Sequence, residues 1–247
     1  ETGLGGGRAE QPPLYPLLVA AATFWTDTGD MERLVWPNPE ANVGKPEWPG
    51  NKNRVVHTEA ERFPWRSPVL VIHLGRFVSI FFGALALTAT FFLAYEASGN
   101  RRGIATVATA ILAFNPMFLF ISDTVNSDTT IVAFTALALF LLVRSLRQQP
   151  TIRCLICPGT VLGGAALTDW NGLLLLPLTA GILFIVAKRQ RRFRWLIPGL
   201  LLTGIPAIAI AGWWYLFSGF RFGSTLAAAQ TLTSLTPSHL WQRLTWE

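Results

Sequence analysis

The sequence predicts an all-α membrane protein, a polytopic bundle of about six transmembrane helices preceded by an N-terminal extracytoplasmic loop. Charged residues make up only 14% of the 247-residue chain and hydrophobic residues 51%, whereas a soluble domain carries about a quarter charged residues. The apolar residues form long stretches separated by clusters of charge, as is typical of segments in lipid. Helices are predicted because a chain in lipid must satisfy its backbone internally, and these stretches are too long and uniformly apolar for barrel strands.

The N-terminal loop, residues 1–72, is the least hydrophobic part of the chain and is rich in the Pro, Asn, Gly and Trp residues of turns. Within it, an apolar run at 12–25 begins with two prolines, which suit the first turn of a helix. The run is too short to cross a hydrocarbon layer of about 30 Å. We therefore predict a helix that lies in the membrane interface, with Tyr15 and Trp25 at the depth of the headgroups.

Six apolar runs follow, and each predicts a transmembrane span. The second run contains Pro116, and the last contains two prolines and ends in Trp-Trp-Tyr. The fourth and fifth runs form a hairpin that is broken at 169–172. The predicted spans lie near residues 74–97, 104–121, 129–143, 154–168, 173–187 and 195–217.

The loops between these runs predict the orientation of the bundle. The loops after the first, third and fifth runs contain ten Lys and Arg residues, whereas the loops 122–128 and 169–172 contain none. Basic loops stay in the cytoplasm. The chain is thus predicted to be a multi-pass protein of the cell membrane, with residues 1–72, the two acidic loops and a tail at 218–247 on the extracytoplasmic face.

Several functional classes are disfavoured by the same pattern. The net charge of +6 is explained by the orientation of the loops, so nucleic-acid binding is not predicted. Transport is disfavoured because no charged residue lies at the middle of a span, where ion and proton carriers usually place one. Cys154 and Cys157 lack a second Cys pair or a nearby His, and we assign no metal ligands.

Chemistry is predicted where polar side chains meet on the extracytoplasmic face. The candidates there are Asp123, Asn126, Asp128 and Asp169. Each acid alone has the alternative role of capping a helix, Asp128 above all. Grouped beneath a large loop, such acids can bind a divalent metal, orient a sugar or remove a proton from an acceptor.

Basic and aromatic residues on that face leave two interpretations open. Arg76 lies at the outer end of the first span and Arg221 just beyond the last. At these positions an arginine either extends to the headgroups or binds the phosphate of a lipid-linked substrate. For His57 and His73 we expect structural roles, because neither has an acid at a recognisable spacing. The tryptophans of the loop are interpreted as membrane or loop anchors, with stacking on sugars as the alternative.

Four short motifs together resemble the GT-C class of membrane glycosyltransferases, the polyprenyl-phosphate-sugar-dependent enzymes related to protein mannosyltransferases and aminoarabinose transferases. Residues 10–15, Glu-Gln-Pro-Pro-Leu-Tyr, are similar to the family's His-x-Pro-Pro-Leu-Tyr motif, which opens an interfacial helix. Residues 115–128 resemble the segment that ends in Asn-x-Asp on the outer face. Residues 163–173 are similar to the hairpin Gly-x-Ala-x-Leu-Thr-Lys-x-x-Gly-Leu, and residues 213–215 resemble the end of the next span.

The resemblance implies transfer of a sugar from a polyprenyl-phosphate donor to an acceptor on the outer face, with membrane lipid as the surroundings. It assigns Asp123 and Asp128, and more weakly Glu10, to catalysis. Substrate binding would fall to Arg76, Arg221, Asn126 and Asp169. The cofactor is left open, with a divalent metal as one alternative.

The departures from the family pattern keep an alternative open. Asp169 stands where a Lys is usual, and the motifs expected after residues 213–215 are replaced by Leu-Phe-Ser-Gly-Phe-Arg. No acidic motif of a first span precedes the loop. We therefore expect a piece or a shortened relative of a family member, and a non-catalytic subunit of a larger membrane complex is the alternative function. A lipid or sugar transporter is a weaker third hypothesis.

Overall fold

The computed structural model describes residues 11–29, 31, 37–41, 55–147, 152–189, 191 and 193–222. These residues form α-helices joined by short turns, and no β-strand occurs among them, which confirms the predicted all-α class. Three 3₁₀ turns lie at Glu59–Glu61, Trp170–Leu174 and Phe193–Trp195. The helices are α1 (Leu14–Thr23), α2 (Val69–Ala97), α3 (Arg102–Ala113), α4 (Pro116–Ser122), α5 (Asp128–Arg147), α6 (Ile152–Thr168), α7 (Leu175–Arg189) and α8 (Leu196–Phe222).

Three segments of the described chain are long and apolar enough to cross a membrane by themselves, namely Val69–Ala97, Asp128–Ser145 and Phe193–Phe220. The pair α3 and α4 forms a fourth if the two helices are one bent span. The helices α6 and α7 have 17 and 15 residues, fewer than the about 20 that a straight span needs. Helices thus occur at all six predicted positions, but crossing by all six stays a prediction.

The second predicted span is not one helix, because the chain turns by 67° between α3 and α4. The Asn115 side chain accepts hydrogen bonds from the backbone N–H groups of Met117 at 2.9 Å and Phe118 at 3.2 Å, and so caps α4. Pro116 occupies the first turn of α4, where its missing N–H costs nothing. The Asn-Pro pair therefore ends one helix and starts the next.

The core of the bundle is built on small residues. On α6, Gly159 and Gly163 contact the α8 backbone at Thr203 and Ala207, and a Cβ atom added at Gly163 would lie 2.8 Å from Cβ of Ile210. One buried cluster, centred on Leu162 and Ala165, joins α5, α6, α7 and α8. Close approach of small residues is the usual way in which membrane helices associate.

The chain alternates in direction, so its loops gather at two ends of the bundle. At one end lie α1, the loop 123–127 and the turn Trp170–Leu174, which we call the acidic end. There, the Tyr215 hydroxyl of α8 donates a hydrogen bond to the Ala166 carbonyl of α6. At the opposite end, Arg147 of α5 lies 3.9 Å from the Glu96 carboxylate of α2.

The observed helices extend beyond the apolar runs from which they were predicted. Helix α2 begins at Val69 rather than at residue 74, and α8 continues to Phe222 rather than ending at 217. Hydropathy marks where a segment meets lipid, whereas a helix ends where its backbone hydrogen bonds end. The backbone at His73 and at Arg221 is therefore helical, although both residues lie outside the predicted apolar runs.

Candidate functional site

The acidic end is organised around a face of α2 that carries small residues. Gly75, Ser79 and Gly83 are buried and, being four residues apart, lie on one side of the helix. A Cβ atom added at Gly75 would lie 3.1 Å from a methyl carbon of Val125, and one at Gly83 would lie 3.0 Å from the Ser122 hydroxyl. The segment 122–126 therefore rests directly on the α2 backbone.

Helix α1 packs onto the same face of α2. Tyr15 is 5% exposed, and its hydroxyl lies 2.8 Å from Oγ of Ser79 in a buried hydrogen bond. Burial raises the pKa of the Tyr15 hydroxyl above its ordinary 10.0, against the opposing effects of the Ser79 side chain and the Asn126 backbone. Tyr15 thus joins α1 to α2 close to the acidic loop.

Within that loop, Asn126 and Asp128 are paired. The Asn126 side-chain amide donates to Oγ1 of Thr124 at 2.9 Å and to the Asp128 carboxylate at 3.3 Å, while its oxygen accepts from the Asp128 backbone N–H at 3.1 Å. Asp128 is the first residue of α5, where the helix dipole favours a carboxylate. Asp128 can therefore stabilise the N-terminus of α5 and remain exposed at the acidic end.

Asp123 lies in a different environment, at the C-terminal end of α4. The charged groups that act electrostatically on the His73 ring are Arg76, Asp123 and Glu61. Because His73 and Arg76 are one helical turn apart on α2, an acid, an imidazole and a guanidinium are grouped at one corner of the acidic end. The expectation of a purely structural His73 missed this grouping, since Asp123 follows 50 residues later.

An aromatic group extends this corner toward the N-terminal loop. The Trp65 ring stacks on His73 with 3.7 Å between ring centroids and 17° between planes, and Phe63 and Phe77 flank the same indole. Nearby, Nδ1 of His57 lies 2.7 Å from the Glu61 carboxylate. His57 therefore has an acidic partner at hydrogen-bond distance, and the charges of Asp123 and Glu61 act on His73.

An open cleft of about 450 Å³ lies just before α2 and is lined by residues between 59 and 69. Arg62 is paired there with Glu59 at 2.8 Å. Exposed Phe63 and the guanidinium of Arg66 line the same cleft. The surface next to Trp65 thus combines an arginine with aromatic rings, a combination suited to a polar group at the membrane surface.

Asp169 acts locally as a turn former. Its carboxylate accepts a hydrogen bond from the Asn171 backbone N–H at 2.8 Å and so caps the turn Trp170–Leu174. The Trp170 ring contacts the Tyr215 ring edge-on at 5.1 Å between centroids. Gly172 lies so close to the Ala165 backbone that a Cβ atom would clash there. The close approach to the Ala165 backbone explains why residue 172 of the hairpin is a glycine.

Two predicted site residues fall outside this geometry. Glu10 lies outside the described residues, and so does the side chain of Arg221, whose backbone forms the last turn of α8. Within the described ranges, no group of three or more His, Cys, Asp or Glu side chains converges as the ligands of a metal ion do. The acids described at the acidic end therefore do not form a metal-binding set among themselves.

Comparison with known proteins gives one match. Residues 72–226 match the family model described as dolichyl-phosphate-mannose-protein mannosyltransferase, which covers more than half of the chain. No curated protein and no solved structure matches. The matched segment begins at residue 72, inside the first turn of α2, runs through α8 and includes the loop 123–127, His73 and Arg76.

Proposed function

Because the chain belongs to the dolichyl-phosphate-mannose-protein mannosyltransferase family, we propose that it transfers a sugar from a polyprenyl-phosphate donor to an acceptor at the extracytoplasmic face of the membrane. The observation that supports this reaction most is the grouping of Asp123, His73 and Arg76 inside the matched segment. Transfer from a lipid-linked phosphate needs a base and a cation close together, and this corner contains both.

Asp123 is the proposed general base. In the reaction, the acceptor oxygen forms a bond to the anomeric carbon of the sugar, the bond from that carbon to the phosphate oxygen breaks, and the acceptor proton passes to the carboxylate. Asp123 suits this role because it is exposed and lies within the electrostatic surroundings of the His73 ring. A positioned base contributes about 10²–10⁴-fold to such a rate.

Arg76 is the proposed phosphate-binding residue. It lies one helical turn after His73 on α2, and the charges of Arg76 and Asp123 both act on the His73 ring. A guanidinium binds phosphate oxygens through two parallel hydrogen bonds and stabilises the charge that develops on the leaving group. The polyprenyl chain would then extend along the apolar flank of the bundle, with its phosphate at the level of Arg76.

Asp128 and Asn126 are proposed to orient the acceptor or the sugar. Their hydrogen bonds to each other leave further carboxylate and amide positions available, since a carboxylate has about four acceptor sites. Asp169 shapes the neighbouring turn, and its role toward substrate is secondary in this proposal. Arg221 and Glu10 are retained as candidates for the phosphate and for catalysis, respectively.

The test is transfer by the full chain reconstituted in lipid nanodiscs with polyprenyl phosphates that carry different sugars. We expect Asp123→Asn to lower kcat by at least about 100-fold, because the amide cannot take the proton. Asp27→Asn is the matched control, since Asp27 is exposed beyond α1 and, among the described residues, accepts a local hydrogen bond from the Gly29 backbone. Release of polyprenyl phosphate measures the reaction. Full activity of a double variant, Asp123→Asn with Asp128→Asn, would contradict the assignment.

A non-catalytic membrane subunit is the second candidate function. It is favoured by the local use of two acids, because Asp128 and Asp169 both accept hydrogen bonds within their own turns. Under this alternative, the wild-type chain transfers no sugar from any donor and purifies in fixed stoichiometry with other membrane proteins. Transfer by the chain alone excludes it.

A further inference from the structure

We infer that the cleft just before α2 is a binding site for an anionic phospholipid, whose phosphate contacts the guanidinium of Arg66 and whose acyl chains lie along the exposed side of α2. The inference requires that α2 crosses the membrane, as its length and hydropathy allow. It does not depend on sugar transfer, and Arg66 is not among the residues proposed to act in that reaction.

The first step of the argument concerns the depth of the cleft in the membrane. Helix α2 has 29 residues, which at 1.5 Å per residue gives a length of about 43 Å. A bilayer measures about 40–45 Å when both headgroup layers are included. The first residue of a membrane-crossing α2, Val69, therefore lies in the headgroup layer at the acidic end. Because Val69 lines the cleft, the cleft lies at the depth of the lipid phosphates.

The second step concerns the charge of the cleft. Arg62 and Glu59 neutralise each other through an ion pair of 2.8 Å. Within the described part of the chain, no carboxylate pairs with Arg66, which lines the same cleft and is exposed. The Arg66 carbonyl accepts a hydrogen bond from the Leu70 backbone N–H at 3.0 Å, which ties the residue to the first turn of α2. The cleft thus presents one uncompensated positive charge, which complements the single negative charge of a phosphate diester.

The third step concerns the apolar surface that leads from the cleft into the bilayer. Phe63 lines the cleft and is 80% exposed. Its ring contacts the Trp65 ring edge-on at 5.6 Å between centroids, and the Trp65 ring lies 6.4 Å from that of Phe77 on α2. Phe77 and Phe81, one helical turn apart, are both more than half exposed. These rings form a continuous apolar path from the headgroup layer to the hydrocarbon layer.

The charge and the apolar path together select a phospholipid as the occupant. A soluble anion, such as free phosphate, would use the guanidinium of Arg66 and leave the aromatic path unoccupied. A phospholipid uses both, because its phosphate and its acyl chains lie at these two depths in any bilayer. A net negative lipid is favoured over a zwitterionic one, since the described carboxylate of the cleft, Glu59, is already paired with Arg62.

The experiment measures lipid binding to the full chain in detergent by native mass spectrometry, with phosphatidylglycerol, phosphatidylcholine and polyprenyl phosphate as the added lipids. We expect one phosphatidylglycerol to bind at least about tenfold more tightly than phosphatidylcholine. Arg66→Gln should raise its Kd about tenfold, as loss of a charge-assisted hydrogen bond implies, and Arg66→Lys should raise it less. Arg101→Gln is the matched control, because Arg101 is an exposed arginine at the opposite end of the bundle, and its Kd should not change.

A second measurement locates the bound lipid. Phosphatidylglycerol with a photoreactive diazirine in its acyl chain is expected to label the segment 77–81 in nanodiscs of phosphatidylcholine, and Arg66→Gln should abolish this labelling. Equal Kd values for the two phospholipids would overturn the inference. An equal loss of affinity in Arg66→Gln and Arg101→Gln would overturn it too, because it would show general attraction to positive charge. Displacement of phosphatidylglycerol by a lower concentration of polyprenyl phosphate would instead assign the cleft to the sugar donor.

Discussion

Two adjacent threonines at the start of α5 differ in a way that the sequence does not show. Thr129 and Thr130 are both fully buried. The Thr129 hydroxyl donates to the Ile121 carbonyl at 2.9 Å and so joins α5 to α4. The Thr130 hydroxyl has no hydrogen-bond partner within the described part of the chain. A buried hydroxyl without a partner costs about 1–3 kcal/mol.

Thr130→Val is expected to stabilise the protein by about 1 kcal/mol, because valine has nearly the same shape and removes the unpaired hydroxyl. Thr129→Val is the matched control, and we expect it to destabilise by about 1 kcal/mol through loss of the hydrogen bond to Ile121. Thermal unfolding in detergent measures both variants. An equal shift of Tm in the two would contradict the difference between these hydroxyls.

At the scale of elements, α6 and α8 pack closely because glycines of α6 lie at their contact. A Cβ atom at Gly163 would lie 2.8 Å from Cβ of Ile210 and 3.1 Å from Cα of Ala207. Because these atoms belong to the helix framework, no side-chain rotation relieves the contact. Gly181 on α7, in contrast, has no heavy atom within 4 Å of its Cβ position among the described residues.

Gly163→Ala is therefore expected to destabilise the bundle by about 1–3 kcal/mol, the usual cost of overpacking a close contact. Gly181→Ala is the control and is expected to be neutral or slightly stabilising, since alanine favours a helix more than glycine does. The measurement is the midpoint of unfolding in a mixed-micelle titration. Equal stability of the two variants would contradict the close contact of α6 with α8 at Gly163.

The helices also show which features of the fold could be predicted from the sequence. The helix that starts after Pro12 and Pro13, and helices at all six apolar runs, followed from hydropathy and proline placement, and they are found there. The 67° turn before Pro116 was not predicted, although the proline was noticed, because hydropathy does not register a cap such as Asn115.

The acids of the candidate site could be predicted from the sequence, whereas the residues that surround them could not. The positions of Asp123, Asn126 and Asp128 in one loop follow from the sequence directly. The grouping of Asp123 with His73, and the link from Tyr15 to Ser79, depend on helices that are far apart in the chain and meet only in the fold. Local patterns contain no information on which faces of two helices will meet.

At the scale of the whole molecule, the hairpin of α6 and α7 decides the topology. If both helices cross the bilayer, Asn171 is exposed to the outer solution. If the hairpin enters and returns from the cytoplasmic side, Asn171 lies at depth within the membrane. The 17 and 15 residues of the two helices reach about 25 Å and 22 Å at 1.5 Å per residue, which makes this segment the critical one.

We expect Asn171→Cys, in a chain with Cys154 and Cys157 replaced by Ser, to react with a membrane-impermeant maleimide added to intact cells. The reason is the predicted orientation, in which acidic loops face outward. Thr28→Cys serves as the positive control, and Arg191→Cys, in the basic loop after α7, should react only after the cells are permeabilised. Failure of Asn171→Cys to react, with both controls as expected, would favour a re-entrant hairpin.

Helix α1 and the loop 123–127 meet over Gly75, where Val19 and Val125 both lie within 4 Å of its Cβ position, and this contact also sets an order of events during synthesis. Val19 leaves the ribosome about 105 residues before Val125, which at roughly 5–20 residues per second is a delay of about 5 to 20 s. During that time α1 cannot yet pack against the loop. The helix is apolar along most of its ten residues. The lipid headgroup region can shelter such a segment reversibly, so the predicted interfacial position of α1 would matter before the bundle is complete.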